Sequence, residues 1–370
     1  VIYELHVRDF SIADPLVPVA DRGKFTAFDV PGTNGRQHLQ ELADAGLTHV
    51  HVLPAFDIAT VVEDPAQRLE IDDTVQELCD RVTEAASLCF NPANGSKKIR
   101  DLMAEYAAQD PASIEPQRIV NWIRALDGFN WGYDPYHFGS PEGSYSTNPN
   151  GVQRVIDFRR MVKGLAENGL LTVMDVVYNH TNAEGQAEKS VFDKVVPGYY
   201  HRRDRTSGAV TRSTCCSDIS TEWKMAEKVM FDTGLRFVKD YKVDGFRFDL
   251  MTSHTKEQIV RFTEAAKAIN PDVYVYGEGW NSGPGQDDKW YVSARQDNMA
   301  GTGIGTFNDR IRDAVRGGGP FDSGASLVSN QGIISGLWYD PNAVNSGAES
   351  ERTRLLDQAD RLRAQLAGGI

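Results

Sequence analysis

Short apolar runs alternate with helical stretches along this chain, and this alternation limits its possible folds more than any other feature. The apolar runs span residues 1–7, 48–53, 170–177, 245–250 and 273–277, with a sixth candidate at 303–307. Strands separated by helices form a parallel sheet that the helices cover. No G-x-G-x-x-G turn follows the first run, which argues against a doubly wound sheet. The pattern therefore predicts the α/β class and a (β/α)8 TIM barrel with long βα insertions.

Helices are predicted between the apolar runs. Residues 152–168 carry apolar side chains at helical spacing and stop at an Asn-Gly pair. Lys256–Ile269 repeats that design before an Asn-Pro pair, and a last helix is expected at 351–366. Two connections, 57–127 and 182–221, are too long to be simple loops. We expect them to shape a substrate cleft.

Composition and charge narrow the class of partner. The chain has 370 residues, and its 52 acidic and 39 basic residues give a net charge of −13. Nonspecific phosphate binding depends on basic clusters, so nucleic acid and anionic membranes are disfavoured and a neutral substrate is favoured. No run approaches the roughly eighteen apolar residues of a membrane span, and the start lacks a signal-peptide pattern. The ends carry no localisation signal; a secreted or periplasmic bacterial protein is favoured over a cytoplasmic one.

The four cysteines are too few for a disulfide-rich scaffold, and they lack the C-x-x-C spacing of a zinc site. Metal binding through sulfur is therefore not expected. Two interpretations stay open. The cysteines are either buried or free thiols, or Cys79 bridges to Cys89 and Cys215 bridges to its neighbour Cys216.

Polar clusters follow three of the apolar runs, where the active sites of barrels lie. The first cluster, DVVYNHT, contains Asp175 and His180. A lone Asp or His at a strand end is more often a hydrogen-bonding loop residue than a catalyst. The second cluster, GFRFD, places Arg247 and Asp249 two residues apart, and hence on the same side of a strand. A cation beside a carboxylate lowers its pKa, as a nucleophile requires, although a structural ion pair would have the same spacing.

The third cluster, YGEGW, flanks Glu278 with glycines and with the indole of Trp280. Glycines permit close approach of a ligand, and an apolar indole helps to keep a carboxyl group protonated. Glu278 therefore suits a general acid. It follows Asp249 by 29 residues, enough for a loop, a helix and a return to the neighbouring strand end. Neighbouring ends could bring the two carboxyl groups to about 5 Å, the separation in retaining glycosidases.

In this order and spacing, the motifs DVVYNH, GFRFD and YGEGW resemble the strand-end signatures of the α-amylase superfamily of glycoside hydrolases. The resemblance implies that Asp249 is the nucleophile, Glu278 the acid/base, and Arg247 the arginine beside the nucleophile. It also implies that Asp175 is the structural aspartate and that His180 binds the scissile sugar.

Within that superfamily, FNWGYDP at residues 129–135 resembles the YNWGYDP signature of pullulanases and limit dextrinases. HVHVLPAFD at 49–57 and STCC at 213–216 extend the similarity along the chain. The resemblance implies that Tyr133 and Asp134 line the sugar subsite, with Tyr133 stacking on the ring, and Trp280 is assigned to the same substrate site. The chain departs from the family at 252–254, where Thr-Ser-His replaces Gly-His-His.

The resemblance implies retaining hydrolysis of α-1,6-glucosidic bonds in pullulan, amylopectin or limit dextrins. The alternatives are an α-1,4-glucan hydrolase or transglycosylase of the same superfamily, and a catalytically inactive sugar-binding barrel. No cofactor is required; calcium is possible, but no dense acidic loop marks a site. The family's later His-Asp signature, the last strands and the C-terminal β-domain are missing. Residues 1–370 are therefore expected to be a partial catalytic barrel from a longer enzyme, inactive by itself.

Overall fold

A parallel sheet of six strands forms the centre of the computed structural model, which describes residues 1–367. In chain order, the strands are β1 (Ile2–Leu5), β2 (His49–Val52), β3 (Leu171–Val176), β4 (His180–Thr181), β5 (Ser217–Asp218), β6 (Gly245–Phe248), β7 (Tyr274–Gly277) and β8 (Gly305–Thr306). Strands β1, β2, β3, β6, β7 and β8 lie side by side in that order, and every pairing is parallel. The sheet curls like half of a barrel, and β4 and β5 form a separate antiparallel pair.

Each of the six predicted runs contains a strand, but each strand is shorter than its apolar run. The end of β6 shows one reason. The apolar run continues to residue 250, whereas β6 ends at Phe248 because Leu250 adopts a left-handed backbone with φ of 39°. A left-handed residue turns the chain out of an extended path. Asp249 therefore lies in a sharp turn just beyond the strand.

Helices connect the strands and cover the sheet. They are α1 (Asn34–Asp44), α2 (Val75–Arg81), α3 (Ile99–Gln109), α4 (Glu115–Ile123), α5 (Gln153–Glu167), α6 (Phe192–Val195), α7 (Lys224–Tyr241), α8 (Lys256–Ile269), α9 (Asp309–Arg316), α10 (Ala325–Ser329) and α11 (Glu349–Leu366). Short 3₁₀ helices lie at Val19–Asp21, Phe25–Asp29, Pro65–Gln67, Thr83–Phe90, Met251–Ser253, Gly283–Asp288 and Ile333–Ser335. Within residues 1–367, no helix combines the length and apolar character needed to cross a membrane.

Helix α8 begins and ends where the sequence predicts. The side chain of Thr255 accepts a hydrogen bond from the backbone N–H of Gln258, and the side chain of Gln258 accepts one from the backbone N–H of Thr255. This capping box satisfies two N–H groups at the start of the helix. On the buried face, the ring of Phe262 meets Phe246 and Phe248 edge-on, at centroid distances of 5.3 and 5.4 Å. Fully burying each phenylalanine contributes about 1.5–3 kcal/mol, so these rings fix α8 against β6.

The long insertion after β2 folds around a hydrophobic core of its own. Helices α2, α3 and α4 provide most of this second core, which is separate from the core behind the sheet. Leu78, Ile99 and Ile119 are each 0% exposed. Thr74 begins α2 with a capping box to Glu77. The insertion is therefore a small helical unit and not an irregular loop.

Both bridges of the disulfide interpretation are present. Cys79 in α2 is bonded to Cys89 in the following 3₁₀ helix, with Cα atoms 6.5 Å apart. Cys215 is bonded to Cys216, its neighbour in the second insertion. No free cysteine remains among the described residues.

The last helix, α11, begins two residues before the predicted start and packs against the rest of the chain. Leu355 is 2% exposed, and Arg354 donates to the side-chain oxygen of Asn345 at 2.9 Å. The Asn308 amide at the start of α9 donates to Gln365 at 2.8 Å. Helix α9 and the irregular segment before α11 therefore supply a docking surface for this helix.

Candidate active site

The predicted catalytic residues meet at the carboxyl ends of β3, β6 and β7. Asp175 in β3 lies in register with Arg247 in β6, and Arg247 lies in register with Tyr276 in β7. Side chains at register positions of a parallel sheet point to the same face. Asp249 follows β6 directly and Glu278 follows β7 directly. The three strands therefore present these carboxyl groups on one side of the sheet.

The guanidinium of Arg247 contacts three carboxyl groups. Its Nη1 lies 3.0 Å from Oδ1 of Asp175 and 3.0 Å from Oδ1 of Asp249. Its Nη2 lies 2.7 Å from Oε1 of Glu278. Burial lowers the pKa of Arg247, but the charges of Asp175 and Glu278 outweigh burial and leave the pKa above its usual value. The spacing predicted the Asp249 contact; the contact with Glu278 brings the two candidate catalytic carboxyls onto one cation.

Asp249 is almost fully buried, with 9% of its surface exposed. Burial raises the pKa of Asp249, Arg247 offsets part of this effect, and the charge of Asp175 raises the pKa further. Arg247 lowers the pKa of Asp249, as expected of a neighbouring cation, but burial has the larger effect and the net pKa is raised. Asn179 donates to Oδ2 of Asp249 at 2.8 Å and to its backbone carbonyl at 3.0 Å, which stabilises the ionised form.

The pKa of Glu278 depends on its burial, on Arg247 and on a backbone hydrogen bond. Burial raises the pKa of Glu278, while Arg247 opposes that rise. The backbone N–H of Leu250, in the left-handed turn after Asp249, donates to Oε2 of Glu278 at 3.1 Å. Trp280 stacks on Phe307 at a centroid distance of 6.3 Å. Burial is thus the main reason that Glu278 can stay protonated, and a sugar contact for Trp280 stays a prediction.

Tyr133 enters the site from the FNWGYDP segment. Its hydroxyl donates to Oδ2 of Asp175 at 2.8 Å, and the Arg247 guanidinium carbon lies 5.7 Å from its ring centroid. Burial, assisted by the charge of Asp175, raises the pKa of Tyr133. The ring is therefore fixed beside the three carboxyls, where one face could stack on a sugar.

Both ring nitrogens of His180 are bonded to protein groups. Nδ1 lies 2.5 Å from Oδ1 of Asn179, and Nε2 lies 2.9 Å from the carbonyl oxygen of Tyr133. His180 is 3% exposed. A direct contact between His180 and a sugar would require one of these bonds to be released.

Asp134 lies at the rim, where the two insertions meet. Its Oδ2 accepts from the hydroxyl of Thr60 at 2.5 Å, and its Oδ1 accepts from the amide of Asn182 at 3.3 Å. Thr60 belongs to the first insertion and Asn182 to the second. Asp134 therefore connects both insertions to the edge of the site.

Sequence reasoning assigned no role to Asn179 or His51. Asn179 stood inside the quoted DVVYNH motif, and its position next to His180 was the available signal. His51 lies one strand away, with Nε2 3.3 Å from Oδ2 of Asp175. The contact between His51 and Asp175 becomes visible only when the pairing of β2 with β3 is known.

Two groups of side chains in residues 1–367 have the spacing of metal ligands. One group joins His180 to the Cys215–Cys216 pair, whose sulfurs are already bonded to each other. The other consists of Asp57, Glu63 and Glu142. The Arg154 guanidinium contacts Asp57 at 2.8 Å and Glu63 at 2.5 Å, so this acidic group already has a cation. Calcium binding stays a prediction.

The chain is similar to known proteins along its whole length. Residues 58–129 match the family model described as the Pullulanase Ins domain. The chain is 42% identical to a pullulanase of Klebsiella aerogenes, over 100% of this chain and 34% of that protein. It is 41% identical to Pullulanase 1, chloroplastic, of Arabidopsis thaliana, over 97% of this chain and 34% of that protein. The chain thus spans about a third of the length of these relatives.

Solved structures show the same similarity. A Klebsiella pneumoniae pullulanase complexed with maltotriose matches with a TM-score of 0.92 and 42% identity, over 99% of this chain and 35% of that chain. A type I pullulanase of Bacillus subtilis complexed with maltose matches with a TM-score of 0.68 and 28% identity, over 100% of this chain and 40% of that one. The curled parallel sheet places Asp249 and Glu278 at adjacent strand ends, and the relatives that the chain matches are glycoside hydrolases. The similarity over the whole chain is more specific. Over its whole length, the chain corresponds to a segment of the pullulanases.

Proposed function

We propose that the protein containing this chain hydrolyses α-1,6-glucosidic bonds in pullulan, amylopectin or limit dextrins, with retention at the anomeric carbon. The observation that carries the proposal is the contact of Asp249 and Glu278 with one guanidinium, that of Arg247. We expect this shared contact to hold the two carboxyl groups about 5 Å apart, a separation that leaves no room for water between nucleophile and sugar and so gives retention. The pullulanase relatives support the α-1,6 linkage.

Asp249 acts as the nucleophile and Glu278 as the general acid. The carboxylate of Asp249 attacks the anomeric carbon while Glu278 gives its proton to the leaving glycosidic oxygen, so the C–O bond breaks as the glycosyl ester forms. Glu278, now a carboxylate, takes a proton from water, and the hydroxide attacks the ester to release the sugar and free Asp249. Arg247 and Asn179 stabilise the ionised form of Asp249 before attack.

The remaining side chains bind the sugar. Tyr133 stacks on the ring at the cleaved bond, and Asp134 and Trp280 bind hydroxyl groups or neighbouring rings. His180 binds a hydroxyl group once one of its bonds, to Asn179 or to the carbonyl of Tyr133, is released. Asp175 acts through its bonds to Tyr133 and Arg247. A neutral α-glucan suits a chain of net charge −13. No cofactor takes part in these proposed steps, and calcium binding stays a prediction.

The six-stranded sheet is, in this proposal, the larger part of an eight-stranded (β/α) barrel. The long pullulanase relatives support this, since the chain spans 34% of their length. Sequence outside residues 1–370 would supply the remaining strands, the third catalytic carboxylate and a C-terminal β-domain. The two disulfides fit an oxidising compartment and hence a secreted or periplasmic protein.

Pullulan hydrolysis by the full-length protein tests the proposal. We expect maltotriose as the product, released as the α-anomer by NMR, with linear amylose largely untouched. Asp249→Asn and Glu278→Gln should each lower kcat by about 10³-fold or more, because each removes a group that makes or breaks a bond. Glu257→Gln, a matched change on the exposed surface of α8, should keep the wild-type rate. Efficient hydrolysis of amylose with no action on pullulan would overturn the α-1,6 assignment.

A further inference from the structure

Asp175 is a fully buried carboxylate with three donors around it. Its exposed fraction is 0%. Arg247 Nη1 contacts Oδ1 at 3.0 Å, and the Tyr133 hydroxyl contacts Oδ2 at 2.8 Å. The third neighbour is Nε2 of His51, 3.3 Å from Oδ2. A buried carboxylate that loses a donor is left with an unpaired oxygen that water cannot reach, so each donor matters to its position.

His51 reaches Asp175 from the neighbouring strand, β2. His51 in β2 lies in register with Glu4 in β1 and with Val173 in β3, two residues before Asp175. The imidazole is buried, and its Nδ1 lies 3.3 Å from Oε2 of Glu4. The ring of Tyr276 meets it edge-on at a centroid distance of 6.0 Å. The imidazole ring of His51 therefore lies between the carboxyl groups of Asp175 and Glu4.

The position of Asp175 matters because Arg247 is shared. The same Nη1 atom lies 3.0 Å from both Asp175 and Asp249. A hydrogen bond from His51 offsets part of the negative charge of Asp175. Without that bond, the attraction of Asp175 for Arg247 would strengthen, and the guanidinium would move away from Asp249 and Glu278. Networks of this kind in a low dielectric are strongly coupled.

On the basis of the function proposed above, we propose that His51 is a positioning residue of the active site. Its Nε2–H group orients Asp175, and Asp175 in turn keeps Arg247 placed between Asp249 and Glu278. A purely space-filling role would require only a side chain of similar volume. The two roles differ in what an apolar substitution does to catalysis.

Three variants of the full-length protein separate these roles. His51→Leu keeps the volume and removes the donor, His51→Gln restores an N–H donor, and His49→Leu makes the same change two residues earlier on the same strand. His49 contacts the hydroxyl of Thr48 at 2.8 Å. We expect His51→Leu to lower kcat on pullulan by about 10²-fold with KM changed much less, because a small misplacement of a catalytic group has an effect of this size. His51→Gln should recover most of the loss, and His49→Leu should show none.

A second measurement needs no turnover. In protein labelled with ¹³C at aspartate carboxyl groups, Asp175→Asn identifies the Asp175 resonance. His51→Leu should move that resonance and His49→Leu should not. A wild type that does not hydrolyse pullulan would refute the proposed function while the resonance still tests His51. Folded His51→Leu with wild-type kcat and an unmoved resonance, or His51→Gln as impaired as His51→Leu, would overturn the positioning role.

Discussion

At the scale of single residues, the shape of the Arg247 side chain decides what the site can hold. A guanidinium presents several N–H donors in one plane, so it can contact Asp175, Asp249 and Glu278 together. A lysine is a point charge on a flexible stem and could not match three carboxyls with the same geometry. The cation therefore sets distances between the carboxyls as well as their charge balance.

A buried histidine that meets the ring of Phe248 edge-on gives a pH prediction. His254 is 1% exposed, and neither ring nitrogen has a hydrogen-bond partner within residues 1–367. Burial lowers the pKa of His254 to about 3, against about 6.5 in the unfolded chain. The unfolded state thus binds the proton first. The stability from the neutral ring is fully present above pH 6.5 and is lost as the pH falls towards 3.

We expect His254→Leu to remove this acid sensitivity. Between pH 7.5 and 5, the wild type should lose about 2 kcal/mol more unfolding free energy than the variant, at 1.36 kcal/mol per pKa unit. Urea unfolding at both pH values measures the difference. The exposed His38, changed to leucine in the same way, should leave the pH dependence as in the wild type. Equal acid sensitivity of wild type and His254→Leu would contradict the assignment.

At the scale of elements, α5 packs so closely on the 3₁₀ helix Phe25–Asp29 that only glycine fits between them. A Cβ atom at Gly164 would lie 2.0 Å from the carbonyl oxygen of Phe28. Because the obstacle is backbone, a side-chain rotation cannot relieve the clash. We expect Gly164→Ala to destabilise the fold by about 2 kcal/mol, since overpacking exceeds the gain in helix propensity. Thermal unfolding measures the loss, and Gly319→Ala, with open space around its Cβ, is the control. A Tm equal to that of the control would refute the close-packing argument.

The strands and the lengths of the main helices could be predicted because they depend on local periodicity. Helix α8 begins at Lys256 and ends at Ile269, as predicted, because the residues next to it in sequence determine both ends. The pKa direction of Asp249 could not be predicted, because two-residue spacing gives the direction of a side chain and not its depth of burial. The contact of His51 with Asp175 depends on register between strands 124 residues apart in sequence, which no local pattern encodes.

At the scale of the whole molecule, the sheet has two open edges. Within residues 1–367, β1 and β8 are its outermost strands, and each pairs on one side only. Ile2, Leu171 and Tyr274 are each at least 37% exposed. Closed barrels fill their interior and leave no edge strand. Residues 1–370 expressed alone should therefore self-associate and show no pullulan hydrolysis, as measured by light scattering and a reducing-sugar assay. A monomer with sharp melting and the activity of the full-length protein would contradict this.

Because the first insertion has a separate core, its sequence can change in evolution independently of the strands of the sheet. Its Cys79–Cys89 bridge and its buried leucines and isoleucines contact one another and lie apart from the core behind the sheet. The backbone N–H of Leu69 donates to the carbonyl of Leu126 at 2.9 Å, so the two ends of the unit lie together. Such a unit can be lengthened, shortened or exchanged without moving the strand ends that hold Asp249 and Glu278. It is therefore a natural place to graft new sequence onto this scaffold.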